Sequence, residues 1–253
     1  MTITFLGTGT SQGVPVIACE CAVCTSANKH DKRLRSSVLI EVDGTVMVID
    51  SGPDFRYQML RAQVKHLDAV LFTHEHKDHI AGLDDIRAFN FTQQSPMEVY
   101  ATKHVQEALK REFSYVFAQY KYPGIPQLNL HTIGNSPFRV GSVEVTPISV
   151  LHYKLPVLGF RVEDFTYITD AKTISATEIE KIKGSRVLVV NALQKEAHIS
   201  HFTLAEAIAF AKKIGAEKTY FTHISHRLGK HDDISRELPP GVELAYDGLK
   251  LEI

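Results

Sequence analysis

The sequence predicts an α/β fold built from two similar halves, and three observations carry that prediction. Short apolar, β-branched runs recur along the chain, and several end in a polar residue able to bind a metal or substrate: Asp50, His74, His152, Asp170 and His223. Segments with helical spacing of apolar residues lie between many of these runs. Two runs are also echoed. Val46-Met47-Val48-Ile49-Asp50 resembles Phe165-Thr166-Tyr167-Ile168-Thr169-Asp170, and Leu71-Phe72-Thr73-His74 resembles Tyr220-Phe221-Thr222-His223. Strands ending this way aim their polar residues at one crevice, where sites in open α/β sheets form. A single domain over residues 1–253 is expected.

The elements follow in order. A strand at residues 3–6 leads into a Gly/Thr/Ser-rich loop and then a loop holding Cys19, Cys21 and Cys24. Residues 37–42 and 45–49 flank Asp43-Gly44 and form a β-hairpin, because Asp-Gly accepts the positive φ of a tight turn. Pro53 falls near the first turn of a helix carrying Phe55, Met59 and Leu60. Residues 69–72 make a buried strand, and residues 82–89 and 103–120 read as helices. In the second half, residues 138–140 and 143–150 form a hairpin-like unit ending at His152, and residues 160–162 and 165–168 form another. Ser175 with Glu178, and Thr203 with Glu206, are capping-box signals for two later helices. Gly215 stops the second, and a strand at residues 218–221 then presents His223.

Composition sets limits. With 44% hydrophobic and 23% charged residues, the chain can bury a sizeable core. Its formal net charge of -1 gives no electrostatic reason to expect a nucleic acid as partner. No apolar run approaches the roughly 20 residues of a membrane span. The N-terminal residues lack the basic start and apolar stretch of a signal peptide, so a cytoplasmic location is expected.

His74, His76, Asp78 and His79 place four metal-competent side chains within six residues, directly after an apolar strand. In such a turn alternate residues converge while Glu75 and Lys77 point away, and His79 falls near the start of the next helix. Imidazole with carboxylate suits zinc, manganese or iron, and the spacing supplies more ligands than one catalytic ion needs. A polar surface loop is the alternative, and the dense H-x-H-x-D-H pattern argues against it.

Together these residues resemble the metallo-β-lactamase superfamily of hydrolases. The likeness spans nearly the whole chain: Phe5-Leu6-Gly7-Thr8-Gly9-Thr10, Asp50-Ser51-Gly52, the His74 to His79 motif, His152, Asp170 and His223. It implies a four-layer αβ/βα sandwich, two mixed β-sheets flanked by helices, with metals at one edge. It further implies two divalent ions, zinc or manganese: His74, His76 and His152 hold the first, Asp78, His79 and His223 the second, and Asp170 bridges both. Asp50 is expected to brace the site and not to ligate. Two such ions ~3.5–4 Å apart deliver a bridging hydroxide near neutral pH and clamp phosphodiester oxygens. His201, just before a capped helix, is expected to give the leaving alkoxide its proton, ahead of His198.

Three cysteines fall one short of the four ligands of a closed zinc site. His226, three residues after His223, and His30, six after Cys24, are both candidates for the fourth. The loop from Phe5 to Pro15, the cysteines, Ser36-Ser37, His223-Ile224-Ser225-His226 and Asp247-Gly248 narrow the resemblance to the cyclic phosphodiesterases of the carbon–phosphorus lyase pathway. That resemblance implies one structural zinc on Cys19, Cys21, Cys24 and His226.

The function expected is therefore metal-dependent hydrolysis of a small phosphodiester, cyclic in the narrowest form. The alternatives are a transfer-RNA 3′-processing endonuclease, a pyrroloquinoline quinone biosynthesis-type binding protein, and a thioesterase or lactonase. No basic, Gly-rich arm for gripping tRNA is evident. Neither nucleic acid nor a membrane is an expected partner. Phe113 and Phe117 read as helical core, residues 120–126 as a lid or homodimer contact, and Tyr153 and Lys154 as residues within reach of substrate.

Overall fold

The computed structural model describes residues 1–120 and 122–253; Lys121, within the stretch expected to form a lid or homodimer contact, lies outside them. β1 (Thr2–Gly7), β2 (Ser37–Val42) and β3 (Thr45–Ile49) form an antiparallel start, which β4 (Ala69–Leu71), β5 (Met97–Ala101) and β6 (Leu128–Thr132) continue in parallel. β7 (Phe138–Val140), β8 (Val143–His152), β9 (Leu155–Val162) and β10 (Phe165–Tyr167) begin a second sheet the same way. β11 (Thr173–Ile174) edges it, and β12 (Val187–Asn191), β13 (Lys218–Thr222) and β14 (Val242–Leu244) extend it in parallel. β15 (Lys250–Glu252) returns to pair with β1. The strand orders are β15-β1-β2-β3-β4-β5-β6 and β11-β8-β9-β10-β12-β13-β14, with β7 on β8.

Strand alternation decides the layers. Ile3, Phe5, Ile40, Met47 and Leu71 meet Val145, Phe160, Tyr167 and Val189 in a dry seam between the sheets. On the outer face of the first sheet, Leu6, Val48, Val70 and Val99 lie under α1 (Phe55–Ala62), α2 (Lys77–Ile80), α3 (Arg87–Gln93) and α4 (Lys103–Glu112). On the outer face of the second, Ile148, Leu188, Val190 and Phe221 lie under α5 (Ala176–Ile182), α6 (Leu204–Ile214) and α7 (His231–Glu237). The result is the expected αβ/βα sandwich of two mixed sheets. Each fully buried Leu- or Phe-sized side chain contributes ~1.5–3 kcal/mol, and a one-residue slip would turn a whole face outward, so register is tightly held. No helix among the described residues is long and apolar enough to cross a membrane.

Several elements depart from the sequence expectation. The helix expected over residues 103–120 ends at Glu112, and Ser114–Phe117 forms a separate 3-10 turn. That aromatic and β-branched run has weak helix propensity, and packing of Phe113 and Phe117 against the first half, with Val116 buried, decides its path. Residues 82–89 start as a 3-10 turn before α3. Thr203 and Glu206 form a full capping box, but Ser175 caps α5 alone, because Glu178 instead accepts the amide of Ser149 (2.7 Å). Of the two sequence echoes, one is topological: β3 and β10 both occupy the fourth place in the two strand orders. The other is not, since β4 is fifth in its order and β13 sixth.

The loops carrying the motif interlock through two glycines. A Cβ on Gly52 would collide with the carbonyl oxygen of Asp78, and one on Gly82 with the carbonyl oxygen of Gly52. Gly52→Ala is therefore expected to destabilise the fold by about 1–3 kcal/mol, a fall of several degrees in Tm. Gly134→Ala, which meets nothing within 4 Å, should leave the melting curve in place. Equal Tm values for the two variants would refute the interlock.

Candidate metal centre

The strand ends converge as the sequence pattern requires. His74 follows β4, α2 carries Asp78 and His79, β8 ends in His152, Asp170 lies just past β10, and His223 follows β13. Asp170 is their meeting point. Its Oδ2 lies 3.6 Å from His74 Nε2, 3.6 Å from His79 Nε2 and 3.4 Å from His201 Nε2, and its Oδ1 lies 3.0 Å from His223 Nδ1. Three ligand-competent groups share this one carboxylate: His74 with His76; Asp78 with His79 and His223; and His152 with His201. The imidazole of His152 is near the first group as well, its ring centroid 5.2 Å from that of His76. Glu75 and Lys77 point away, to His104 and Glu112 of α4.

Outer hydrogen bonds decide which nitrogen faces inward. His79 Nδ1 donates to Asp50 Oδ2 (2.6 Å). His74 Nδ1 donates to Thr73 Oγ1 (2.9 Å), whose hydroxyl donates in turn to Asp50 Oδ2 (2.8 Å). One buried carboxylate thus orients two imidazoles of the cluster, the bracing role expected of Asp50. His152 Nδ1 donates to the Ser200 carbonyl (2.9 Å). These bonds place the Nδ1 proton of His74, His79 and His152 outward and aim each Nε2 at the crevice. The relay through Thr73 and the Ser200 carbonyl were missed by sequence reasoning; for Thr73 the only signal was its place beside His74.

Charge completes the picture. Burial, and then the neighbouring His79, push His74 well below the usual imidazole range, and burial brings His223 down to about 4. Burial opposes the charge of Asp170 and Asp78, yet the surrounding imidazoles hold both carboxyls below their usual range. His79 rises well above its usual range in spite of its burial, because Asp78, Asp170 and Asp50 face it. The ionised carboxylates and the imidazoles of His74 and His223 are in the donor forms a divalent ion requires, and His79 takes that form on losing its Nε2 proton. The Nε2 atoms of His79 and His201 are buried with no hydrogen-bond partner. The residues present therefore fit divalent ions.

The cysteine loop forms a second cluster. Sγ of Cys19, Cys21 and Cys24 lie 3.3, 3.4 and 3.5 Å from His226 Nδ1. A tetrahedral zinc with ordinary Zn–S and Zn–N bonds has an S···N edge of about 3.5 Å, so this set also fits. Of the two histidines left open by the sequence, the structure brings His226 to the sulfurs. His30 stacks instead on Tyr246, with ring centroids 4.0 Å apart. An amide hydrogen bond from Cys24, joined by the contact with His226, brings the Cys21 thiol down to about 6, whereas burial pushes Cys24 up to about 11.

A sandwich of two mixed sheets with histidine and aspartate at its strand ends defines a metal-dependent hydrolase class. The chain belongs to the metallo-β-lactamase superfamily: the family model of the beta-lactamase superfamily domain matches residues 45–224. It is similar to a crystal structure described as a new diphosphatase from the PhnP family, with 40% identity and a TM-score of 0.94 over 100% of this chain and 96% of that one. It is 41% identical to an octanoyltransferase of Porphyromonas gingivalis over 99% of its own length, but spans only 51% of that protein. Zinc-bound PqqB from Methylobacterium extorquens shares the fold, at 20% identity and a TM-score of 0.83 over the full length of both chains. Membership in this superfamily implies divalent metals.

Two outcomes follow from the geometry. Asp50→Asn is expected to keep the fold and weaken metal binding about 10–100-fold, read by competition with a chromophoric chelator; undiminished affinity would remove Asp50 from the site. Cys21→Ser should lose about one equivalent of zinc by elemental analysis and lower the Tm. Full zinc content with an unchanged Tm would count against the cysteine site.

Proposed function

We propose that the protein is a metal-dependent phosphodiesterase acting on a small phosphodiester, cyclic in the narrowest form. The observation that carries this reading is the single carboxylate of Asp170 set within 3.0–3.6 Å of four imidazoles drawn from separate strand ends and loops. In this scheme His74, His76 and His152 hold one divalent ion, Asp78, His79 and His223 hold a second, and Asp170 is common to both. Zinc or manganese suits this pair, and zinc suits the cysteine cluster. Bound there, two such ions would supply positive charge to the phosphoryl oxygens and make water nucleophilic near neutral pH. The 40% identity to a diphosphatase of the PhnP family over nearly the whole of both chains supports phosphorus as the reacting centre.

The chain's own part in leaving-group departure falls to His201. The Ser200 amide donates to His198 Nδ1 (3.3 Å), so that nitrogen is an acceptor. His201 Nδ1, 3.2 Å from it, is then the donor, and any further proton on His201 sits on Nε2, beside Asp170. That atom faces the crevice and is poised to protonate the departing alkoxide. His198 acts through His201 and does not itself face the cluster's centre. The acyl transfer in the name of the Porphyromonas gingivalis relative belongs to a protein about twice as long, so a thioester is the control substrate.

The test is turnover of bis(p-nitrophenyl) phosphate, a 2′,3′-cyclic nucleotide and a thioester by fully metallated protein. Hydrolysis of the first two is expected, and thioester cleavage without phosphodiester cleavage would overturn the reading. His201→Ala should retain its metals and lose about 10²–10⁴-fold in kcat. Loss of a metal equivalent would instead make His201 a ligand, and unchanged kcat would remove it from the scheme.

A further inference from the structure

An open groove of about 550 Å³ runs from His76 and His152 along the tip of the β8–β9 hairpin. Tyr153, Lys154 and Leu155 of the hairpin line it, together with Ile199 and Ser200 of the loop before α6. The two segments are fastened at the metal cluster itself, where His152 Nδ1 donates to the Ser200 carbonyl. Tyr153 is 51% exposed and Ile199 66%, so folding leaves two large apolar side chains in water directly beside the site. His152 pairs with Leu155, which makes Tyr153 and Lys154 a two-residue turn, and Tyr153 adopts a φ of 57°. Asn, Asp or Gly is the unstrained choice there. The backbone does not ask for tyrosine. Lys154 Nζ lies 5.3 Å from the centroid of the Tyr153 ring, within the range of a cation–π attraction that restrains it.

We propose that this groove seats a flat ring carried on the ester group of the substrate, with Tyr153 as the stacking surface and Ile199 as an apolar wall. Tyr153 is then a specificity-determining residue that favours phosphodiesters of nucleoside or aryl alcohols over alkyl ones. A ring held by stacking needs a π-face and apolar contact more than hydrogen-bond donors, and the groove supplies them. Its inner end is formed by His76 and His152, so a ring in the groove leaves its phosphoryl group at the cluster. The proposal rests on the phosphodiesterase reading given above.

The test compares two esters with the same five-membered cyclic phosphate: 2′,3′-cyclic AMP, which carries a base, and glycerol 1,2-cyclic phosphate, which does not. For metal-loaded protein, Tyr153→Ala is expected to raise KM for 2′,3′-cyclic AMP about tenfold with kcat held, shrinking the preference between the two esters, and Tyr153→Phe to restore it. Calorimetric titration with AMP should show affinity weakened by the same factor in Tyr153→Ala. Tyr153→Asn, which suits the turn, should show the same loss, separating ring removal from misfolding. An unchanged preference in Tyr153→Ala, or AMP binding that is absent in the parent or equal in the variants, overturns the proposal. If neither ester is cleaved, the phosphodiesterase reading falls, and the AMP titration still decides whether the groove takes a ring.

Discussion

Three carboxylates, Asp50, Asp78 and Asp170, are buried in one crevice, and the rest of the structure is arranged around the positive charge they demand. Taking a carboxylate out of water costs about several kcal/mol unless a partner compensates it. Among the described residues the compensation comes from imidazoles and no guanidinium or ammonium reaches the cluster, which is an economical arrangement only if metal ions complete it. His79 shows this most plainly. Facing all three carboxylates, it is held toward its protonated form, and a divalent ion held at its Nε2 would do the electrostatic work of that proton with more charge.

Holding these groups together requires backbone conformations that strands do not adopt on their own. Asp50, Asp170 and His223 all have positive φ, at 64°, 58° and 54°. Asp50 and His223 directly follow β3 and β13 and Asp170 lies three residues past the end of β10, and the left-handed step turns the chain where it enters the crevice. Such a step costs roughly 1–2 kcal/mol for an ordinary residue, and Asp and His are among the types that take it most readily. Ligand chemistry and backbone tolerance therefore select the same residues. The flanking contacts hold the turns in place: the Asp50 amide donates to the Leu71 carbonyl (2.9 Å), and Ser36 Oγ meets His223 Nδ1 (3.2 Å).

The sequence made the strand ends legible because short apolar runs closed by His or Asp carry both a structural and a chemical signal. The H-x-H-x-D-H run, the late His152, Asp170 and His223, and the hairpins at Asp43-Gly44 and residues 160–168 could all be read that way. What escaped depended on tertiary packing. The end of α4 at Glu112 was hidden because Phe113 and Phe117 keep a helix-like apolar spacing although the chain leaves the helix at Phe113 and re-forms as a 3-10 turn over Ser114–Phe117. The choice between His226 and His30 could not be made from spacing, since both lie within plausible reach of the cysteines in sequence pattern. Only the three-dimensional path of the loops separates them. The second strand echo was local similarity without topological equivalence, a distinction invisible before the strand order is known.

The cysteine cluster lies outside the crevice yet is wired to it through the N-terminal loop. Ile224 N donates to the Thr8 carbonyl (2.9 Å) and Thr10 N to the Ile224 carbonyl (3.1 Å), so the segment carrying His223 runs alongside the loop that precedes the cysteines. Thr10 Oγ1 also meets His223 Nε2 (3.1 Å). Beneath them Arg33, fully buried, donates to Thr8 Oγ1 (2.8 Å) and the Ala245 carbonyl (2.6 Å), and Asp247 accepts from Thr8 Oγ1 (2.8 Å) and the Leu34 amide (2.8 Å). Four segments far apart in sequence, residues 8–10, 33–34, 223–224 and 245–247, are thus cross-braced around His223. His226 sits three residues on, at the sulfurs. A cation there would fix both ends of the short stretch 223–226, one at each cluster. His223 can be held in a strained conformation because the chain on either side of it is anchored, and the cysteine cluster is one of those anchors.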